Sequence, residues 1–488
     1  MVWKERKHHP MDTELSPRLR WSQILAISIF WFGLSFHWAA LGFIILPSQV
    51  LKLVGEPGKG AALAFVLIPG AFVALFANPF FGLLSDRTTG RLARLGKRRP
   101  YILIGTLLNA GALLWMALAP DLLQLMLAYL LVQLTSNAVQ APFHALLPDI
   151  VPAAQRGQVS GTMGLLQIAG TIGGTLVSGL LIDTGKPTYF TGLWLAYGIV
   201  IVVLLVLMLV TVLVVRERGE SVTVQTPKRK PWLTRSHLLT TGITLLSLAL
   251  VWGLLALWNL LRPVGIQISS EAQQVILEII AAIGLLRIFE FSPRRTPSFA
   301  WVLVTRLFVM LSVYTIQTYL LYFMQDVVRV DSPALQTSNF IILVSITSLI
   351  SAFVAGWLSD RFGRKRIIYI SGTLMALVGL IFIVSSSLPI VISAGLIFGL
   401  GYGAYQSVDW ALVADTLPSR ETFARDMGVW NIALAIPQII APVIGGPLID
   451  HFYRIGQSTL GFQLLFTLAI LYCLIGTVTV RYIRVVNQ

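Results

Sequence analysis

Two short stretches constrain this chain more than anything else in it. Gly82 to Ile102 reads G-L-L-S-D-R-T-T-G-R-L-A-R-L-G-K-R-R-P-Y-I, and Gly356 to Tyr369 reads G-W-L-S-D-R-F-G-R-K-R-I-I-Y. Gly82, Ser85, Asp86 and Arg87 of the first correspond to Gly356, Ser359, Asp360 and Arg361 of the second. Each stretch is a basic hairpin between two apolar segments long enough to cross a bilayer, which takes about 20 residues as a helix. The same connection made twice points to a duplicated membrane protein.

Composition agrees. The chain is 56% hydrophobic and 12% charged, against about 25% charged in soluble domains. Its net charge of +15 is not spread as a nucleic-acid surface would need. Of 36 Lys and Arg residues, 29 fall in loops on one side of the apolar segments and six on the other, and Arg306 lies within a segment. That is the positive-inside pattern, so no nucleic-acid partner is expected, and the basic side is expected to be cytoplasmic. Cys473 is the single cysteine and lies in an apolar run, so neither a disulfide framework nor a metal cluster is expected. The first apolar segment is too long for a signal-peptide core and no small-residue cleavage site follows it, so it reads as a retained helix.

The expected spans of the first half are 23–48, 60–84, 100–119, 122–147, 157–182 and 189–214; those of the second are 299–327, 337–358, 367–386, 388–412, 427–449 and 461–482. Between them, 238–261 is strongly apolar, whereas 273–291 contains Glu278, Arg287 and Glu290. Parity favours counting both: Asp86 and Asp360 lie in matching loops, and an odd insertion would put them on opposite sides. The expectation is an all-α polytopic membrane protein of fourteen helices. A six-helix bundle occupies 1–214, a basic linker with two extra helices 215–298, and a second six-helix bundle 299–488. Both termini are expected in the cytoplasm, and the chain in the plasma (inner) membrane.

The repeat runs on. A-L-L-P-D-I-V-P (Ala145–Pro152) parallels A-L-V-A-D-T-L-P (Ala411–Pro418), and L-I-D closes a later helix in each half at Asp183 and Asp450. Asp149 precedes Asp183 by 34 residues, and Asp415 precedes Asp450 by 35. Three motifs in one order make each half a six-helix unit, as in transporters built from parallel repeats.

The paired G-x-x-S-D-R loops resemble the cytoplasmic loop motif of the major facilitator superfamily. Ser85–Ile102, Asn137–Asp149 and Ser35–Pro47 further resemble sucrose–proton symporters and their glycoside–cation relatives. Those symporters typically carry an arginine where this chain has His144. Their sodium-coupled relatives use acidic residues in the second helix, and 60–84 has none. The resemblance implies alternating access and assigns conformational roles to Gly82, Asp86, Arg87, Asp149, Gly356, Asp360, Arg361 and Asp415. Asp86, Arg87, Asp360 and Arg361 are expected to pair across the two halves when the cytoplasmic side closes.

Polar groups inside a bilayer are expensive, a central Arg or Asp costing about 2.5–3.5 kcal/mol on insertion scales. Here they fall in stripes. Gln133, Asn137, Gln140 and His144 share one face of the fourth helix, and Tyr402, Tyr405, Gln406 and Asp409, with Trp410 beside them, mark the tenth. Arg306, Tyr314 and Gln317 mark the seventh, and His37 and Trp38 the first. In the resembled superfamily these four helices line the central cavity. The expected substrate contacts are His37, Trp38, Gln133, Asn137, Gln140, Tyr314, Gln317, Tyr402, Tyr405, Gln406 and Trp410. The expected proton-coupling groups are Asp409 with Arg306 as switchable partner, and His144 as rival carrier. The bland readings stay open: amides glue membrane helices together, and a purely structural ion pair is the alternative for Arg306 and Asp409.

No G-x-S-x-G, P-loop, H-E-x-x-H or dinucleotide fingerprint occurs, so no enzyme and no cofactor is expected. The reading is a monomeric secondary transporter, most simply a proton symporter of a sugar or glycoside. One alternative is a proton-antiport exporter of a small amphipathic compound. Another is a non-transporting scaffold for pigment delivery or complex assembly.

Overall fold

In hydrocarbon every backbone N–H and C=O must find its partner within the chain, and a helix does so segment by segment. The computed structural model describes residues 19–86, 88, 95–152, 155–215, 235–261, 268, 270–288, 291–416 and 423–484. The described residues contain helices and connections and no strand. In the first half, α1 spans Trp21–Val54, with a π-helical turn at Leu41–Ile45. It is followed by α2 (Lys59–Asp86), α3 (Arg99–Leu118), α4 (Leu122–Ile150), α5 (Arg156–Leu181) and α6 (Tyr189–Val214). The inserted pair is α7 (Arg235–Leu261) and α8 (Ser270–Ile288). The second half holds α9 (Pro297–Thr318), short α10 (Leu320–Asp326), α11 (Pro333–Phe362), α12 (Arg364–Val384), α13 (Leu388–Thr416), α14 (Phe423–Arg454) and α15 (Ser458–Thr479).

Among the described residues thirteen helices are long and apolar enough to cross a membrane, judged by length and composition. The fourteenth expected span, α8, forms a helix of 19 residues but is not one of those thirteen. Several helices outrun their expected bounds. The expected 337–358 becomes Pro333–Phe362 and 427–449 becomes Phe423–Arg454, because helical backbone pairing continues into the boundary where long charged side chains reach water. The expected span 299–327 instead breaks at Tyr319 between α9 and α10.

Within the first half α1 packs on α5 and α6, and α4 on α2 and α3; in the second, α11 packs on α13, α9 on α14 and α15, and α12 on α13 and α15. Two seams join the halves, α2 against α14 and α5 against α11. The inserted α8 carries α7 on one side and lies on the first seam through Ala282 and Leu285, packed with Leu75 of α2 and Ile432 of α14. Small residues set the closest approaches, as expected where no hydrophobic drive separates helix from lipid. A Cβ at Gly174 would stand 2.2 Å from the Phe36 carbonyl oxygen of α1, and one at Gly170 would stand 2.3 Å from that of Phe32.

These contacts predict that Gly174→Val forces α5 off α1, at a cost of about 1–3 kcal/mol for overpacking. Gly164 of the same helix has open space around it. Purified full-length Gly174→Val should melt several degrees below the parent and Gly164→Val close to it. Equal melting of the two variants would mean that the α1–α5 contact does not set stability.

Candidate functional site

The polar groups of the second half meet where α9, α13 and α14 pack together. Arg306 Nη1 of α9 donates to Asp409 Oδ2 of α13, and both residues are buried, at 3% and 1% exposure. The Tyr405 hydroxyl, one turn before Asp409, donates to Asp409 Oδ1 at 3.3 Å. The guanidinium carbon lies 3.5 Å from the ring centroid of Trp430 of α14, and Trp410 meets Trp430 edge-on at 4.4 Å. A buried cation thus has a carboxylate beside it and an aromatic face against it, which offsets the desolvation of both charges. Next to this pair lie two amide–phenol couples. Gln406 Nε2 donates to the Tyr402 hydroxyl at 2.6 Å, and Gln438 Nε2 of α14 to the Tyr314 hydroxyl at 3.1 Å. Gln317 is half-buried one turn beyond Tyr314.

The first half carries its own ladder. Asn78 Nδ2 of α2 donates to Asn137 Oδ1 at 3.2 Å, Asn137 Nδ2 to the Gln133 carbonyl at 2.8 Å, and Gln133 Nε2 to the Tyr129 hydroxyl at 2.8 Å. His144 is exposed and stacks on Trp31 of α1, with ring centroids 4.9 Å apart. Gln140 is half-buried between them in sequence. Among the described residues no hydrogen bond, ion pair or ring contact links this set to the Arg306 set.

Two of the expected substrate contacts are fully buried in this structure. His37 is fully buried with both ring nitrogens unpartnered, at a void of about 10 Å³ lined by α1, α3, α4 and α6 of its own half. The spacing identified a polar group in a span but not which side of α1 faces its own bundle. Tyr405 is likewise fully buried and is engaged with Asp409, beside the ion pair. Trp38 is half-buried against His37, while Trp410 keeps 55% exposure.

At the basic-loop end the conformational residues pair within each half. Arg98 donates to Ser85 Oγ at 2.6 Å, Asp86 Oδ1 at 2.5 Å and Asp149 Oδ2 at 3.0 Å, tying the ends of α2 and α4. Arg364 pairs with Asp415 and donates to the Ala411 carbonyl in the matching place. Asp360 is exposed, and Arg361 lies over the rings of Trp357 and Phe362. A Cβ on Gly356 would come within 3.1 Å of Ser407 Oγ, whereas Gly82 has ordinary room. Arg87 lies outside the described residues. The expected pairing of Asp86, Arg87, Asp360 and Arg361 across the halves is not the arrangement here: among the described residues no hydrogen bond or ion pair joins the halves at this end.

They are joined at the far end instead. Lys59 at the start of α2 is fully buried and bonds Glu56 at 2.5 Å and Asp326 of α10 at 2.6 Å, with the rings of Tyr322 and Tyr453 about it. Asp450, the aspartate of the second L-I-D, accepts the backbone N–H groups of Gly60 and Ala61 at 2.8 and 2.7 Å. A carboxylate there meets the positive end of α2. Asp183, its repeat counterpart, lies 3.4 Å from Ser332 Oγ just before α11. The structure is thus latched at the far end and unlatched at the basic end. Sequence reading missed Lys59, Asp326, Trp430, Gln438, Arg98 and Arg364. Only Gln438 gave a usable signal, as an amide in an apolar run; the others look like ordinary loop charges or membrane aromatics.

Residues 59–245 match the family model described as MFS/sugar transport protein, and residues 302–487 match that of the Major Facilitator Superfamily. The chain belongs to the major facilitator superfamily. Its family and fold are those of membrane transporters. Among curated relatives, the multidrug efflux pump LfrA of Mycolicibacterium smegmatis is 25% identical over 164 residues, 33% of this chain and 32% of that protein. The sucrose transport protein SUC3 of Arabidopsis thaliana is 25% identical over 162 residues, 29% of this chain and 26% of that protein. The match therefore spans a third or less of either relative. A crystal structure of the peptide transporter POT in complex with sulfate superposes with a TM-score of 0.70 at 17% identity, covering 96% of each chain. That likeness is one of fold.

Asp326 lies beyond the spanning part of α9. Burial pushes its carboxyl up from the usual range, against the pull of Lys59. The latched form therefore holds this proton at a higher pH than an opened, solvated Asp326 does. Latching should be strongest below the ordinary carboxylate range, around pH 4, and weaken as the pH rises through the raised value. Spin labels at Thr188 and Asp331 should show a growing short-distance population on acidification, and Asp326→Asn should make that population less dependent on pH. A short-distance population that shrinks in acid would reverse the assignment.

Proposed function

We propose that the protein is a secondary active transporter that moves a small neutral solute by alternating access, taking up a sugar or glycoside with protons. The buried Arg306–Asp409 pair, beside two amide–phenol couples and exposed Trp410, carries this reading. Aromatic faces suit the apolar side of a sugar ring, and amides and phenols suit its hydroxyls. A carboxylate that loses its cation in a dry site sheds its charge by taking a proton. Asp409 is the proposed proton carrier, Arg306 its partner, and His144 the alternative carrier. The solute would lie against Gln140, His144, Trp38, Gln317, Tyr314, Tyr402, Gln406 and Trp410, with Gln133 and Asn137 behind them. The domain boundaries at 214 and 299, the crossing of both α7 and α8, and a single-chain working unit belong to this proposal.

The proposed orientation puts the basic loops and both termini in the cytoplasm. Cys473 is buried and is the only cysteine, so a Cys473→Ala background should be silent. Cysteines at Asp331 and Asp360, both exposed, should label from opposite faces of sealed vesicles, Asp331 from outside. Labelling of both from one face would refute the topology.

A second reading follows from the likeness to an efflux pump and from His144 stacked on Trp31, an aromatic surface suited to an amphipathic solute. Proteoliposomes separate the two. Under an inward proton gradient a symporter accumulates sucrose or an aryl glucoside. An antiporter accumulates solute only when the gradient is reversed, and a scaffold gives no flux. Asp409→Asn should abolish gradient-driven accumulation yet keep substrate exchange, provided the variant stays monodisperse. Accumulation with parental pH dependence would remove Asp409 as carrier and turn attention to His144→Gln.

A further inference from the structure

At the basic-loop end of the second half, the start of α9 and the end of α15 leave a groove of about 440 Å³. Pro297, Ser298, Trp301, Arg481, Tyr482 and Arg484 line it. The Trp301 and Tyr482 rings stack at 4.6 Å with planes 26° apart, and the Arg481 guanidinium lies 4.5 Å from the Tyr482 ring centroid. The backbone N–H of Arg484 donates to Ser298 Oγ at 3.2 Å, tying the chain after α15 to the first turn of α9. Arg294 and Arg295, both exposed, lie just before Pro297. Among the described residues no carboxylate pairs with Arg294, Arg295, Arg481 or Arg484.

Two other arginines of the same end are already engaged. Arg98 and Arg364 are each spent on carboxylates of their own half. Here the cations have no carboxylate, and they adjoin an aromatic pair at the ends of two spanning helices. Tryptophan and tyrosine favour the headgroup level of a bilayer, and a guanidinium matches a phosphate with two parallel N–H donors. The first-turn N–H groups of a helix such as α9 have no acceptor inside it and form its positive end. An aqueous anion would use the cations alone; a lipid headgroup uses the aromatic wall as well.

We propose that this groove binds the phosphodiester headgroup of an anionic membrane lipid. Arg481 and Arg484 take the phosphate, and the Trp301–Tyr482 pair lies against the glycerol and upper acyl carbons. Arg306 follows Ser298 by eight residues on α9, roughly 12 Å along the helix. The bound lipid therefore steadies the end of the helix that carries the buried ion pair. The inference does not depend on what solute is moved.

The test is native mass spectrometry of the full chain released from micelles doped with dioleoylphosphatidylglycerol or dioleoylphosphatidylcholine. The parent should retain the anionic lipid at roughly tenfold higher occupancy than the zwitterionic one, about 1.4 kcal/mol. Arg481→Gln with Arg484→Gln should lose that preference, and Arg366→Gln, exposed at the same end but outside the groove, should keep it. Trp301→Leu retains both arginines and should weaken retention severalfold, which serves if the double variant is not monodisperse. Equal binding of the two lipids, equal loss in Arg366→Gln, or full retention in the groove variants would overturn the proposal. Displacement of the lipid by millimolar inorganic phosphate would also overturn it, in favour of a free-anion site.

Discussion

A charge in a low-dielectric layer persists only with a partner, and the arrangement of this protein follows from where its few such charges find theirs. Arg306 and Asp409 satisfy each other inside the second half, and Trp430 and Tyr405 complete the surroundings. Lys59, fully buried, is held by Glu56 of its own half and by Asp326 across the halves. The first pair holds one bundle to itself, and the second holds two bundles together. Breaking the first leaves an orphaned charge in the bundle. Breaking the second exposes both partners to water at the boundary, where they are solvated. That difference makes the far-end cluster the one suited to reversible opening.

The two L-I-D aspartates show how a repeated sequence yields unequal contacts. Asp450 receives two backbone N–H groups at the start of α2, while Asp183 only approaches Ser332 before α11. Both seams close at the far end, but the α2–α14 seam carries the charged cluster and the inserted α8 as well. An insertion lying across one seam adds apolar contact to both moving halves at once. The bare outer face of α7 adds nothing to that seam.

Much of the fold was legible because the bilayer imposes simple rules. Apolar runs of span length and a motif recurring in order specify helices and a duplication. The site was legible in part. Stripe spacing singled out Arg306, Asp409, Tyr402 and Gln406, because polar groups in an apolar helix are costly and need partners. Spacing left the burial of His37 and Tyr405 undecided, since periodicity shows that residues share a face and not which neighbour that face meets. The helix expected at 273–291 is present as α8, but Glu278 and Arg287 weaken the apolar signal that elsewhere marks a span, and it is not among the thirteen candidate spans of the described residues.

The sequence by itself determined the helical class, the two-unit architecture and the chemistry available inside the membrane, since each rests on local composition and order. Tertiary structure alone decided which loop arginine meets Asp86 and Asp149, that Lys59 is a buried bridge and not a surface charge, and that Trp430 underlies Arg306. Those are contacts between residues tens to hundreds of positions apart. Their partners are chosen by how helices pack, a property of the whole assembly that no single stretch encodes.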